Sequence, residues 1–234
     1  MYYPMFYDWT YILVLIGAVL SMAASAHVNS TFKKYSNVMS GTGITGAQAA
    51  EEILRRNTIT DVSVHHIAGS LTDHYNPSKK TVNLSDSVYD SRSVAAIGVA
   101  AHECGHVMQH ANGYLPLSIR SALVPVANFG SKLGLPVCVL GLFLGSMGDT
   151  LITVGIWMFS LGVAFQIVTL PVEFDASRRA LLQLESNGLL SKEELYHTKK
   201  VLSAAAMTYV AAAAASILSL LRLVLLFGGN RRRD

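Results

Sequence analysis

Charge is what this sequence has least of: 14% of its 234 residues are Asp, Glu, Lys or Arg, against 51% hydrophobic residues, and its mean hydropathy is +0.39. That balance is too apolar for an ordinary soluble domain and points to a bilayer. Cysteine is scarce too. Cys104 and Cys138 lie far apart, and Cys138 sits inside an apolar stretch, which argues against a disulfide framework and against a structural zinc knuckle. No long Lys/Arg block interleaved with aromatics occurs and the net charge is only +3, so a nucleic-acid partner has no support. Internal repeats and low-complexity linkers are missing as well.

What is present is apolar sequence in long runs. A helix needs about 20 mostly apolar residues to span a bilayer, and residues 9–26, 125–147, 151–170 and 201–227 approach that length. The first run lacks a basic leader and carries Tyr2, Tyr3, Phe6, Tyr7, Trp9 and Tyr11, which suits an interfacial aromatic belt on a retained anchor. Lys132 interrupts the second run and Pro136 predicts a kink in it. Gly148, Asp149 and Thr150 alone separate it from the third, predicting a tight hairpin. The polar blocks 27–122 and 171–200 then fall on one side of the membrane. Lys33, Lys34, Arg120, Arg178, Arg179, Lys199 and Lys200 flank the spans there, so that side is expected to be cytoplasmic. Arg222 and the tail Arg231, Arg232 and Arg233 run against this, unless the last helix stops short of crossing.

Within the polar blocks, TGAQAAEEILRRN has helical periodicity, whereas DVSVHHI and TVNL read as short strands. Asn76, Pro77 and Ser78 supply turn chemistry before the second strand, and 73–77 reads as a turn, although His74 and Tyr75 could instead border a cleft. SVAAIGVAAHECGHVMQHA predicts a buried helix. Pro171 suits a helix start, Gly188 a helix end, and Ser191 with Glu194 a capping box opening the last helix.

The chemistry sits in HECGH. His102 and His106 are four apart, so on a helix both imidazoles leave one face and can grip one zinc ion. Glu103 beside them can take a proton from a zinc-activated water and deliver it to a leaving amine. The same pentapeptide also occurs in helices whose histidines are merely packed or solvated. A catalytic zinc keeps three protein ligands and an open position. His110 is eight residues from His102, about 12 Å along the helix axis, too far for one coordination sphere and better suited to orienting a neighbour or facing solvent. Gln109 and Asn112 stand where a metzincin needs Gly and His, which excludes that class. Glu173 is of the right type, and equally reads as a carboxylate favoured at a helix start. Cys104 points away from the ligand face and suits packing. His65 and His66 suit a strand surface. Tyr209, Arg178 and Arg179 are the candidates for stabilising an oxyanion.

The runs TGAQAAEEILRRN, LTDHYNPSKKTVNLSDSVYD, VAAHECGHVMQH, LPLSIRSALVPVAN, LPVEFDASRRAL and AAAMTYVAAA resemble the YugP-type bacterial membrane zinc metallopeptidases. The likeness covers nearly all of the chain after the first span. It implies zinc-dependent proteolysis at the membrane, with His102, His106 and Glu173 as ligands of Zn2+ and Glu103 as catalytic acid/base. The layout is similar, more distantly, to HtpX-type membrane proteases, in which an aspartate four residues after the ligating glutamate supports the site. Ser177 occupies that position here, and Asp175 stands two after Glu173.

The expected architecture is therefore a mainly α membrane protein of about four transmembrane helices with a small α+β zincin-like catalytic domain. It divides into an anchor helix (1–26), the catalytic domain (27–122), a helical hairpin (123–170), a connector bearing Glu173 (171–200) and a last span with a basic tail (201–234). The expected partners are the lipid bilayer and a peptide or membrane-protein substrate, aligned on a short exposed strand at TVNL or before it. Two other classes stay open: a zinc-binding scaffold or chaperone, to which Glu103 would be superfluous, and a transporter, for which the spans offer little beyond Lys132 and Arg222.

Overall fold

The computed structural model describes residues 8–227; the aromatics Tyr2, Tyr3, Phe6 and Tyr7 and the tail arginines 231–233 lie outside the described residues. In chain order the elements are α1 (Tyr11–Tyr35), α2 (Gly46–Arg56), β1 (Ser63–Ile67), β2 (His74–Asn76), β3 (Thr81–Ser85), α3 (Val94–Ala111), α4 (Leu115–Gly141), a 3-10 turn (Gly145–Met147), α5 (Gly148–Ser186) and α6 (Lys192–Phe227). α1, α4, α5 and α6 are long and apolar enough to cross a membrane. The chain is a mainly α membrane protein with a small α+β part. It forms two compact units, one of described residues 8–24, 118–170 and 208–227, the other of residues 25–117 and 171–207.

In the first unit large apolar side chains such as Leu15, Phe129 and Trp157 face outward, as expected where the surrounding medium is itself apolar. Contact between helices there relies on small residues. A Cβ on Gly17 would lie 3.0 Å from the Cα of Ala215, so α1 and α6 meet backbone to backbone. At the end of that pair Arg222 Nη2 donates to Asp8 Oδ2 at 3.2 Å, and both side chains are largely buried.

Two expectations about the helices are corrected. The hairpin link is not Gly148–Thr150: α4 ends at Gly141 and α5 begins at Gly148, leaving 142–147 as the connection, with Gly145 at φ +51°. Leu142, Phe143 and Leu144 read as span by hydropathy, yet they lie in the turn. Pro171 does not start a helix; it sits inside the 39-residue α5. Proline removes one backbone donor but its fixed φ is helical, so a helix supported on both sides continues through it. Pro125 and Pro136 likewise lie inside α4.

The second unit is built on α3. Ser93 caps it, its Oγ accepting from Ala96 N at 3.2 Å, and Val94, Ala95, Ala96, Ile97, Ala100 and Ala101 are buried. α2 opens with the Thr45–Gln48 capping box and buries Ala49, Ala50, Ile53 and Leu54 in the same core. The sheet order is β1-β3-β2, with β1 parallel and β2 antiparallel to β3. TVNL is thus the central strand, closed to strand addition, and the strand before it, β2, is an edge. The expectation of a turn over 73–77 is corrected too. His74–Asn76 is strand, and the turn follows at 77–80, where Asn76 Oδ1 accepts from Lys79 N at 3.0 Å and Lys80 adopts φ +52°. Three residues flanked by Asp and Pro are too few to show strand alternation. The Ser191–Glu194 box does open α6, its Oε2 accepting from Ser191 N at 2.7 Å.

Candidate metal centre

Helical spacing on α3 sets the first part of the site. His102 and His106 leave one face with ring centroids 4.8 Å apart and planes 84° from parallel. α5 brings Glu173 between them, its Oε2 lying 3.3 Å from His102 Nε2 and 3.6 Å from His106 Nε2. The three donor atoms all fall within 4.8 Å of one another, and Glu173 is buried.

The carboxylate reaches so far because the two helices touch main chain to main chain. A Cβ on Gly105 would lie 2.5 Å from the carbonyl oxygen of Ala176. Glu173 and Ser177 flank Ala176 on the same face of α5, and both point at the histidines. Ser177 Oγ is 3.1 Å from His102 Nδ1, and Gln109 Oε1 is 3.0 Å from His106 Nδ1. Both Nδ1 atoms are therefore engaged, and both Nε2 atoms face the carboxylate. Burial alone would lower the pKa of His106, but hydrogen bonding to Glu173 and the charges of Glu103 and Glu173 outweigh it and raise it above the ordinary histidine value.

Glu103 is buried and turns to the sheet, where its Oε2 accepts from the backbone N–H of Tyr75 at 2.9 Å. The Tyr75 hydroxyl meets His110 Nδ1 at 3.0 Å, so His110 contacts β2 rather than the donor cluster. Asp175 stands outside the cluster as well, bonded to Arg178 Nη2 at 2.6 Å, Arg179 Nε at 2.5 Å and Gln109 Nε2 at 3.0 Å. Both arginines named as oxyanion candidates are thereby committed to Asp175, and Tyr209 belongs to the other compact unit. His74 is exposed beside Asn83. His66 pairs on the surface with Asp86 at 2.7 Å. Cys104 is buried against Ala50 O, where burial pushes its thiol pKa up.

Three contributors escape a reading of the sequence. Tyr75 acts through its backbone, which residue type does not reveal, and Gly105 through the side chain it lacks. Gln109 carried a usable signal, since it lies three residues after His106 on the same helical face.

Two imidazole Nε2 atoms and a buried carboxylate oxygen, with both Nδ1 atoms anchored, make a donor set that fits zinc. Fold and site together define a membrane protein with a metallohydrolase-like cluster. The chain belongs to the family described as "putative neutral zinc metallopeptidase", whose model matches residues 10–228. It is 46% identical over 198 residues, 84% of this chain and 87% of the relative, to the "putative membrane protease YugP" of Bacillus subtilis (strain 168). No solved structure matches it.

Proposed function

We propose that the chain is a membrane zinc endopeptidase in which His102, His106 and Glu173 hold the ion and Glu103 is the general base. The observation that carries this reading is the convergence of a buried Glu173 carboxylate on two imidazole Nε2 atoms one residue from a second buried carboxylate. Zinc, when bound, supplies Lewis acidity, polarising a carbonyl and making a water more acidic. Glu103 takes the proton of the attacking water and returns it to the leaving amine. Its Oε2 is held by the Tyr75 N–H, which leaves Oε1 for the transfers. The substrates are peptide segments of membrane or membrane-proximal proteins, and the basic residues flanking the spans support a cytoplasmic face for the site.

The test is zinc analysis joined to a membrane-peptide cleavage assay. Glu103→Gln is expected to keep zinc and lose hydrolysis by about 10²–10⁴-fold, whereas Glu173→Ala loses both. Undiminished cleavage by Glu103→Gln sinks the mechanism; full zinc occupancy in Glu173→Ala sinks the ligand set.

A further inference from the structure

We propose that Gln109 is a positioning residue for the metal centre, fixing His106 as its Nδ1–H tautomer and tying the Glu173 segment of α5 to α3. This rests on the reading of His106 and Glu173 as ligands. Gln109 is fully buried, at 0% exposure, and its amide is used at both ends. Nε2 lies 2.8 Å from the carbonyl oxygen of Val172 and 3.0 Å from Asp175 Oδ2. A backbone carbonyl only accepts, and Asp175 already accepts from Arg178 and Arg179, so the nitrogen end must face both. A flipped amide would set oxygen against two acceptor oxygens. The orientation is therefore decided by its surroundings, and Oε1 is left toward His106 Nδ1 at 3.0 Å.

That oxygen also only accepts, so Nδ1 carries the hydrogen in either charge state of the ring. In the neutral ring the lone pair then lies on Nε2, the atom turned to Glu173. His102 has no such constraint, because the Ser177 hydroxyl beside its Nδ1 donates or accepts equally well. The donor direction is continuous from His106 to Gln109 to Asp175, and the arginines donate to its far end. The second bond has its own effect. Val172 precedes Glu173, so the amide that orients one ligand on α3 also grips the backbone beside the ligand on α5.

The experiment uses the full chain in detergent, with zinc affinity measured by chelator competition and metal-free stability by thermal melting. Gln109→Met, equal in length but without the polar atoms, is expected to weaken zinc binding by about 10–100-fold. Met108→Ala, at a buried position of α3 with an apolar side chain, is expected to lower the melting temperature and leave zinc affinity near wild type. Unchanged affinity in Gln109→Met overturns the proposal, as does an equal loss in Met108→Ala at matched melting temperature. Should Gln109→Met fail to fold, 15N spectra of histidine-labelled, zinc-loaded wild type decide, with His106 assigned by its loss in His106→Ala. A proton-bearing Nδ1 is expected, and a bare Nδ1 overturns the inference. If wild type binds no zinc, or His106→Ala binds it as tightly as wild type, the metal-centre reading is what fails.

Discussion

His106 sits between opposing demands. Partly buried in α3, it would favour the neutral ring, yet Glu173 and Glu103 draw it toward the charged one, and the net effect is a raised pKa. A histidine raised on folding contributes stability that is fully present below its unfolded value, about 6.5, and lost as pH rises through the folded value. Zinc binding requires the proton to leave Nε2, so it strengthens over the same interval. The gain in melting temperature on adding zinc to chelator-treated protein is therefore expected to grow from about pH 5.5 to pH 8. A gain that is flat with pH would contradict a ligand role for His106. Among single residues, the His102/His106 pair was legible because four-residue spacing is local. Glu173 was legible only as a residue of the right type, since nothing in the chain announces that Gly105 lets α5 come close. The Tyr75 N–H was not legible, because every residue but proline has one.

At the scale of elements, contact between α3 and α5 determines where Glu173 ends up. Gly105→Ala would place a methyl group 2.5 Å from the Ala176 carbonyl oxygen. Neither main chain can yield as a flexible side chain would, so the helices must part, at a cost of about 1–3 kcal/mol. Chemical denaturation is expected to read that loss, and zinc titration a weaker site. Undiminished zinc affinity would mean that helix spacing does not set the donor cluster. The start of α6 was read from the Ser191–Glu194 box, because capping depends on residues within one turn; Thr45 and Ser93 cap α2 and α3 by the same local chemistry. β2 was not, since an edge strand of three residues is specified by its pairing with Val82 and by Glu103, 28 positions away. The ends of α4 and α5 were misplaced because hydropathy measures solvent preference and does not register where a helix turns back.

For the whole molecule, the arrangement of charge predicts which side each part faces. Cys104 and Cys138 are both buried, which leaves a quiet background for labelling introduced cysteines. Glu51→Cys and Glu185→Cys are expected to react from the cytoplasmic side, and Trp9→Cys, at the other end of α1, from outside. Opposite sidedness of positions 51 and 185 would separate Glu173 from the α3 histidines and end the shared site. The pairing of Asp8 with Arg222 bears on how such a chain is made. The two residues are 214 positions apart, so during synthesis Asp8, just before α1, lacks its cationic partner until Arg222, near the end of α6, has left the ribosome. A chain stopped before Arg222 would keep His102, Glu103, His106 and Glu173 and yet leave that partly buried carboxylate with Thr10 and without its guanidinium. Such a truncated chain is expected to be cleared by cellular quality control, and Asp8→Asn within it to restore part of its accumulation on an immunoblot; equal levels of the two would show that assembly of the membrane helices does not wait for this pair.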